Sequence, residues 1–350
     1  MNTPSLANSL RRASTRLVAA TVLGAAGFGL AEPAGAQQAL AKLSYGTNWL
    51  AEAEHGGFYQ AVVDGTYKKY GLDVTIMQGG PNNNFRLMMS SGKLDCFMGS
   101  DMIQAMSAVA QGIPTLAVAG MFQKDPQVLM SHPGEGLDTF ESLKNAHVIL
   151  VSKASISSFY RWLESAWGFS EEKIGPYNFN PAPFIADKKS VQQGFATSEP
   201  FAVEKAGGFK PNVFLFADYG FDTVATTIEC RRDFVEKNPE VIQHFVDATA
   251  IGWYHYLYGD NKAANDLIKK ENPEMTDDQI AFSIAKMKEY GIVDSGESLK
   301  SGIGAMSDQR MKSFYDAMVK AGVLPQGLDY KQSYTLDFVN KGVGLELRPK

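Results

Sequence analysis

The sequence has little of what metal and redox enzymes need. Among 350 residues there are only two cysteines, Cys96 and Cys230, and five histidines scattered along the chain. No Cys-x-x-Cys pair and no His-Glu-x-x-His stretch occurs, so zinc and dithiol chemistry lack their usual marks. A Gly-x-Gly-x-x-Gly turn, a P-loop and a Gly-x-Ser-x-Gly elbow are missing as well. The expectation is a protein without a resident cofactor, without a metal site and without a catalytic residue. Basic runs are also absent. With 33 basic and 38 acidic residues the net charge is −5, which argues against nucleic acid or an anionic membrane as partner. Each cysteine lies in an apolar run, so both read as buried strand positions. Two inert core thiols are favoured over a bridge, although an oxidising compartment would permit one.

What is present begins at the N-terminus. Arg11, Arg12 and Arg16 precede an uncharged apolar stretch, Leu17 to Leu30, and then the small residues Ala34-Gly35-Ala36. That order predicts a secretory signal peptide over residues 1–36 and a periplasmic product starting near Gln37. A spanning helix needs about 20 apolar residues, more than this stretch supplies. The Arg11-Arg12 pair leaves Sec and twin-arginine export both open. Removing Arg11, Arg12, Arg16 and Glu32 leaves 30 basic and 37 acidic residues, a mature charge of about −7.

Beyond the signal the pattern is α/β. Short apolar runs read as strands at 43–46, 72–76, 94–98 and 115–119, with helices between them that start near His55, Phe85 and Met102. Gly71 and Gly112 stand where helices end. This β-α rhythm predicts a parallel sheet covered by helices. After a break at 131–134 it resumes with strands at 147–151, 177–179 and 213–216. Helices are expected at 157–167, 187–193 and 200–206. Residues 223–230 are apolar again, and the remainder reads as helices at 239–258, 261–270, 277–290 and 307–320. The expected organisation is one lobe from 37–130 and 220–350, with the C-terminal helices, and a second from 131–219. The chain would cross between them near Met130 and Tyr219, with a ligand cleft where strand ends meet helix starts.

Several segments resemble one family. Gly46-Thr47-Asn48-Trp49 followed by Glu54-His55-Gly56-Gly57-Phe58-Tyr59 is similar to the opening box of the thiamine-pyrimidine-precursor group of periplasmic binding proteins. These are kin of the sulfonate, taurine and nitrate receptors. Tyr67-Lys68-Lys69-Tyr70-Gly71-Leu72-Asp73-Val74, Gly92-Lys93-Leu94-Asp95 with Gly99-Ser100, and Arg232-Asp233-Phe234 with Asn238-Pro239-Glu240 extend the likeness over nearly all of the mature chain. The resemblance implies a type II periplasmic-binding-protein fold, two α/β lobes with a hinge and a central cleft. It also implies a monomeric receptor that delivers a small molecule to the permease of an ABC transporter. The family includes an enzyme that builds the thiamine pyrimidine with the help of a cysteine-rich motif. This chain has no cysteine cluster, so the resemblance points to a receptor and not to that enzyme.

The candidate ligand residues follow from strand ends and from the family box. Trp49 offers a flat indole for stacking on a ring, and Asn48 beside it a donor and an acceptor. His55 and Tyr59, four residues apart, share a helix face. Ser100, Asp101 and Phe122 end first-lobe strands, where Ser100 and Asp101 can also cap a helix. Ser152 and Ser155 open a second-lobe helix, and Tyr219 stands at the second crossing. Glu199 precedes Pro200 in the family segment where a carboxylate meets the ligand. A carboxylate can accept from an amino group and an adjacent protonated ring nitrogen, as on an aminopyrimidine. The expected function is capture of a small heteroaromatic molecule, such as a thiamine pyrimidine precursor. A receptor for a sulfonate or nitrate and a pyrimidine-forming enzyme are the alternatives.

Overall fold

The computed structural model describes residues 39–80 and 83–349, so the signal-peptide expectation falls outside the described residues. The chain opens with β1 (Ala41–Gly46), a 3-10 turn at Ala53–His55, α1 (Gly56–Val63), α2 (Thr66–Lys69) and β2 (Leu72–Met77). Then come α3 (Phe85–Ser90), β3 (Cys96–Asp101), α4 (Met102–Ala110) and β4 (Thr115–Phe122). The middle region holds β5 (Gln127–Ser131), β6 (Ile149–Val151), α5 (Lys153–Ile156), α6 (Phe159–Trp167) and β7 (Ile174–Pro176). It continues through α7 (Ala182–Ala186), β8 (Val191–Phe195), α8 (Glu199–Gly207) and β9 (Asn212–Leu215). The last part contains β10 (Ala225–Arg231), α9 (Arg232–Lys237), α10 (Pro239–Tyr258), α11 (Lys262–Glu271), α12 (Asp277–Glu289), α13 (Ser298–Ser301) and α14 (Asp308–Lys320).

The strands form two five-stranded sheets, ordered β2-β1-β3-β10-β4 and β7-β6-β8-β5-β9. Both are mixed, whereas the sequence rhythm predicts parallel sheets. β10 runs antiparallel to β3 and β4, and β5 runs antiparallel to β8 and β9. The reason is common to both lobes. The chain leaves the first sheet after Phe122 and enters the second at Gln127; it returns between Leu215 and Ala225. Each crossing delivers its strand straight into the other sheet without a covering helix of the kind that joins parallel neighbours, and in both sheets that strand runs antiparallel to its neighbours. Met130 therefore lies inside β5. Residues 187–193, expected as a helix, instead lead into β8, whose first four residues are buried.

The two cysteines are cross-strand neighbours, Cys96 on β3 paired with Cys230 on β10, and they form a disulfide. This corrects the expectation of two inert thiols. Register between strands 134 residues apart decides the pairing, and no local pattern carries that register.

Two glycines set how the first lobe packs. A Cβ on Gly56 would sit 2.0 Å from the Tyr256 ring, and one on Gly57 2.3 Å from the Trp253 ring. Only hydrogen there lets α1 lie directly on the long α10. The 3-10 turn just before α1 is thereby fixed against the core, and the loop that leads into it carries the first-lobe residues that face the cleft. Among the described residues no helix is long and apolar enough to cross a membrane.

Candidate functional site

A cavity of about 490 Å3 lies where the loop after β1 faces β7, β8 and α8 of the second lobe. The size suits a drug-sized or vitamin-sized ligand, since such pockets span ~300–1,000 Å3. From the first lobe come Asn48, Trp49, Leu50 and Glu52; from the second, Tyr177, Phe179, Gln193 and Glu199. Asn272, Glu274 and Gln279 close it from the segment around α12. Its lining contains three glutamates and no lysine, arginine or histidine.

Trp49 is held by its backbone. Its carbonyl accepts from the Thr47 hydroxyl at 2.8 Å and from the Gly79 N–H at 3.0 Å. Gly79 must be glycine for this approach, because a Cβ would stand 2.1 Å from the Thr47 carbonyl oxygen. The indole meets Phe179 with ring centroids 4.9 Å apart and planes tilted by 45°. Phe179 is 52% exposed and carries a positive φ of 60°. A left-handed phenylalanine is a costly conformation outside glycine. Tyr177 supports it at 5.3 Å. Aromatic residues from both lobes therefore border the cavity, Trp49 from the first and Tyr177, Phe179 and Phe195 from the second.

Glu199 is the best-anchored carboxylate. Oε2 accepts from the Phe195 N–H at 2.7 Å and Oε1 from the Tyr177 hydroxyl at 3.2 Å. Gly194 makes room, since a Cβ there would lie 2.7 Å from Glu199 Cβ. Two oxygens offer about four acceptor positions, so two protein donors leave capacity for a ligand. Burial raises the Glu199 pKa, opposed by the Phe195 N–H and the Tyr177 hydroxyl. Glu52 is raised well above the carboxylate range, first by burial and then by the charges of Glu54 and Glu199. Glu54, two residues on and buried, is pushed up to about 7. Burial is the largest cause; the Thr197 hydroxyl opposes it, and the charge of Glu199 adds to it.

The candidate residues divide. Asn48, Trp49 and Glu199 come together at the cavity. His55 stands behind them: its Nε2 donates to Asn48 Oδ1 at 3.1 Å and lies 3.5 Å from Glu52. Burial drives its pKa down to about 3, so the ring is neutral and orients the Asn48 amide. The others do not line this cavity. Tyr59 points to α11, donating to Glu271 at 2.6 Å. Asp101 caps α4, accepting from the Ile103 N–H at 2.8 Å, and Ser100 precedes it at the end of β3. Phe122 packs edge-on against Trp253 at 5.5 Å. Ser152 caps α5 and shares a hydroxyl bond with Ser155; its N–H reaches the cavity only through Gln193 Oε1 at 2.6 Å. Tyr219 stacks on Phe140 at 3.9 Å. Sequence reasoning missed Glu52, Phe179 and Tyr177. The Tyr-Asn-Phe-Asn-Pro run at 177–181, two rings among turn residues, was the available signal.

Comparisons with known proteins agree on fold and family. The NMT1/THI5-like pattern matches residues 52–264. The riboflavin-binding protein RibY of Chloroflexus aurantiacus is 24% identical over 316 residues, 88% of each chain. A 4-amino-5-hydroxymethyl-2-methylpyrimidine phosphate synthase of Saccharomyces cerevisiae, THI13, is 27% identical over 328 residues, covering 85% of this chain and 88% of the yeast protein. The periplasmic aliphatic sulphonate binding protein SsuA of Escherichia coli superposes with a TM-score of 0.60 at 16% identity, over 83% of this chain and 91% of its own. The two-lobed fold is that of the periplasmic binding proteins, and the chain belongs to the NMT1/THI5-like family.

Proposed function

We propose that the chain is the periplasmic solute receptor of an ABC importer and captures a planar heteroaromatic molecule bearing an amino group, of the thiamine-pyrimidine-precursor class. The observation that carries the reading is the character of the cleft: aromatic side chains from both lobes, three glutamates and no basic side chain in its lining. Trp49 and Phe179 would cover the ring faces, a contact worth about 0.5–1.5 kcal/mol beyond the area buried. Glu199 would accept from the amino group and a neighbouring ring N–H. The two lobes would close about the crossings at 123–126 and 216–224 as a hinge. A sulfonate or nitrate would find an acidic lining and no cation to pair with, so the anion reading is disfavoured.

The yeast relatives are synthases, so receptor and enzyme need separating within the family. Both cysteines of this chain are committed to one disulfide between β3 and β10. No thiol is left to form a reactive cluster near the cleft, which favours the receptor. The riboflavin-binding relative supports a flat ring system as ligand.

A thermal-shift screen of aminopyrimidines, flavins, sulfonates and nitrate tests the reading. Binding to the native state raises the melting temperature by mass action. The account expects aminopyrimidines to raise it and the anions to leave it unchanged. A shift with sulfonate or nitrate alone would overturn it, and a flavin-only shift would move the assignment to a larger ring.

A further inference from the structure

Behind the glutamates that line the cleft sits a carboxylate that the ligand reading does not use. Glu54 belongs to the 3-10 turn of the first lobe and is 4% exposed, with Oε1 lacking a hydrogen-bond partner. Facing it from the second lobe is the fully buried Thr197 hydroxyl, which lies close enough to favour the ionised form of Glu54. From α10 comes Tyr256, whose buried hydroxyl also lacks a partner and senses the Glu54 charge. Leaving Glu54 Oε1 and the Tyr256 hydroxyl both buried without a partner is expensive, because such groups are normally satisfied.

The charges around Glu54 are all of one sign or absent. Glu199 at the start of α8 acts on Glu54 as an anion, and the charges of Glu54 and Glu199 both raise Glu52 on its own loop. His55 beside it is held neutral by burial. α12 packs on the turn and presents Ser283, which donates to the Thr197 carbonyl at 2.7 Å, and Gln279. Its charged residues face elsewhere: Asp277, Asp278, Lys288 and Glu289 are exposed, and Lys286 is paired with Glu289 at 2.7 Å. Among the described residues no cation pairs with Glu54. Glu52 and Glu54 belong to the first lobe and Glu199 to the second, so the seam between the lobes carries like charge on both sides. Like charges brought together out of water repel strongly.

We propose that Glu54 and Glu199 form a like-charge gate: the lobes close fully only when a positively charged group of the ligand, or a proton, lies between the two carboxyls. This deepens the receptor reading and rests on it for the ligand. A neutral aminopyrimidine would then close the lobes only with uptake of a proton, whereas one bearing an ammonium group brings its own counter-charge. Glu54 would be a specificity-determining residue for cationic ligands, with Thr197 and Tyr256 orienting the incoming group.

The test has one arm without ligand and one with it. Small-angle scattering of the ligand-free protein at about pH 5 and about pH 8 should give the smaller radius of gyration at the lower pH, since the closed form binds the extra proton. Glu54→Gln should cut that difference by at least half. An unchanging radius in the parent protein, or a Glu54→Gln difference as large as the parent's, would overturn the gate. The second arm titrates 4-amino-5-hydroxymethyl-2-methylpyrimidine and its 5-aminomethyl analogue, which carries an ammonium, at about pH 8. The ammonium probe should bind at least about tenfold tighter, and Glu54→Gln should reduce that preference to about threefold or less. A preference that survives Glu54→Gln would remove Glu54 from recognition. Failure of both probes to bind would sink the aminopyrimidine reading while the scattering arm still decides the gate.

Discussion

The two lobes share a strand plan but not a way of holding it. Each sheet has three parallel strands followed by one antiparallel strand in the fourth position that arrives from the other lobe. In the first lobe that strand, β10, is fastened to β3 by the Cys96–Cys230 disulfide. It is also gripped by the buried Glu229, which takes two bonds from Arg86 at 2.8 and 3.0 Å. The outer strand β4 is covered by the C-terminal segment: Thr335 N–H donates to the Ala117 carbonyl and Gly120 N–H to the Gly304 carbonyl. The corresponding strand of the second lobe, β5, is held by its ladder hydrogen bonds and by packing, with no covalent tie. The difference teaches a division of labour. The first lobe is a braced platform carrying Trp49, Glu52 and Glu54, and the second is the lighter part that brings Phe179 and Glu199 to it.

The strongest way to break that contrast is to remove the covalent tie. Its loop of 134 residues encloses the whole second lobe, so Cys96→Ser with Cys230→Ser should lower unfolding free energy by about 3 to 5 kcal/mol. Denaturant unfolding of the oxidised and doubly substituted proteins measures it. Ligand affinity of the folded variant should stay within about threefold of the parent, well under 1.4 kcal/mol. A stability loss below about 1 kcal/mol would mean that the first lobe is no better braced than the second.

Next in size is the split between the two aromatic walls. Trp49→Ala should weaken ligand binding by about 2 kcal/mol, as for a buried aromatic anchor. Phe179→Ala should cost less, about 1 kcal/mol, because that ring is half exposed. Calorimetry gives both values, and the melting temperature of the ligand-free variants should move little. Equal losses, or a Phe179→Ala loss exceeding that of Trp49→Ala, would assign the anchor to the second lobe.

Legibility in the sequence follows the same division. Met102 to Ala110 and Pro239 to Tyr258 are helices over the expected residues, because apolar periodicity and end residues agree there. The Asn48-Trp49 loop was legible because it directly follows a strand. The second lobe was harder. β8 reads Val-Gln-Gln-Gly-Phe, and its two buried glutamines remove the apolar pattern that marks a strand. β5 was hidden between two apparent loops, since a strand joining the other sheet needs no turn signal at its start. Asp101, Phe122 and Tyr219 show the limit for sites: a strand end predicts proximity to a cleft, whereas cap and core roles also require polar or aromatic residues there. Glu52 and Glu54 gave no signal, because only burial makes a glutamate in a loop unusual.

The account stands most directly on Glu199. A calorimetric titration of the parent protein and of Glu199→Gln with 4-amino-5-hydroxymethyl-2-methylpyrimidine, and with an alkanesulfonate in parallel, tests it. Loss of one partner of a desolvated charged hydrogen bond costs about 2 to 5 kcal/mol of binding. The parent should bind the pyrimidine and ignore the sulfonate, and Glu199→Gln should lose that affinity by this amount while keeping its melting temperature. Equal pyrimidine affinity in the two proteins, or sulfonate binding that Glu199→Gln strengthens, would contradict a cleft built for a ring-bearing amine.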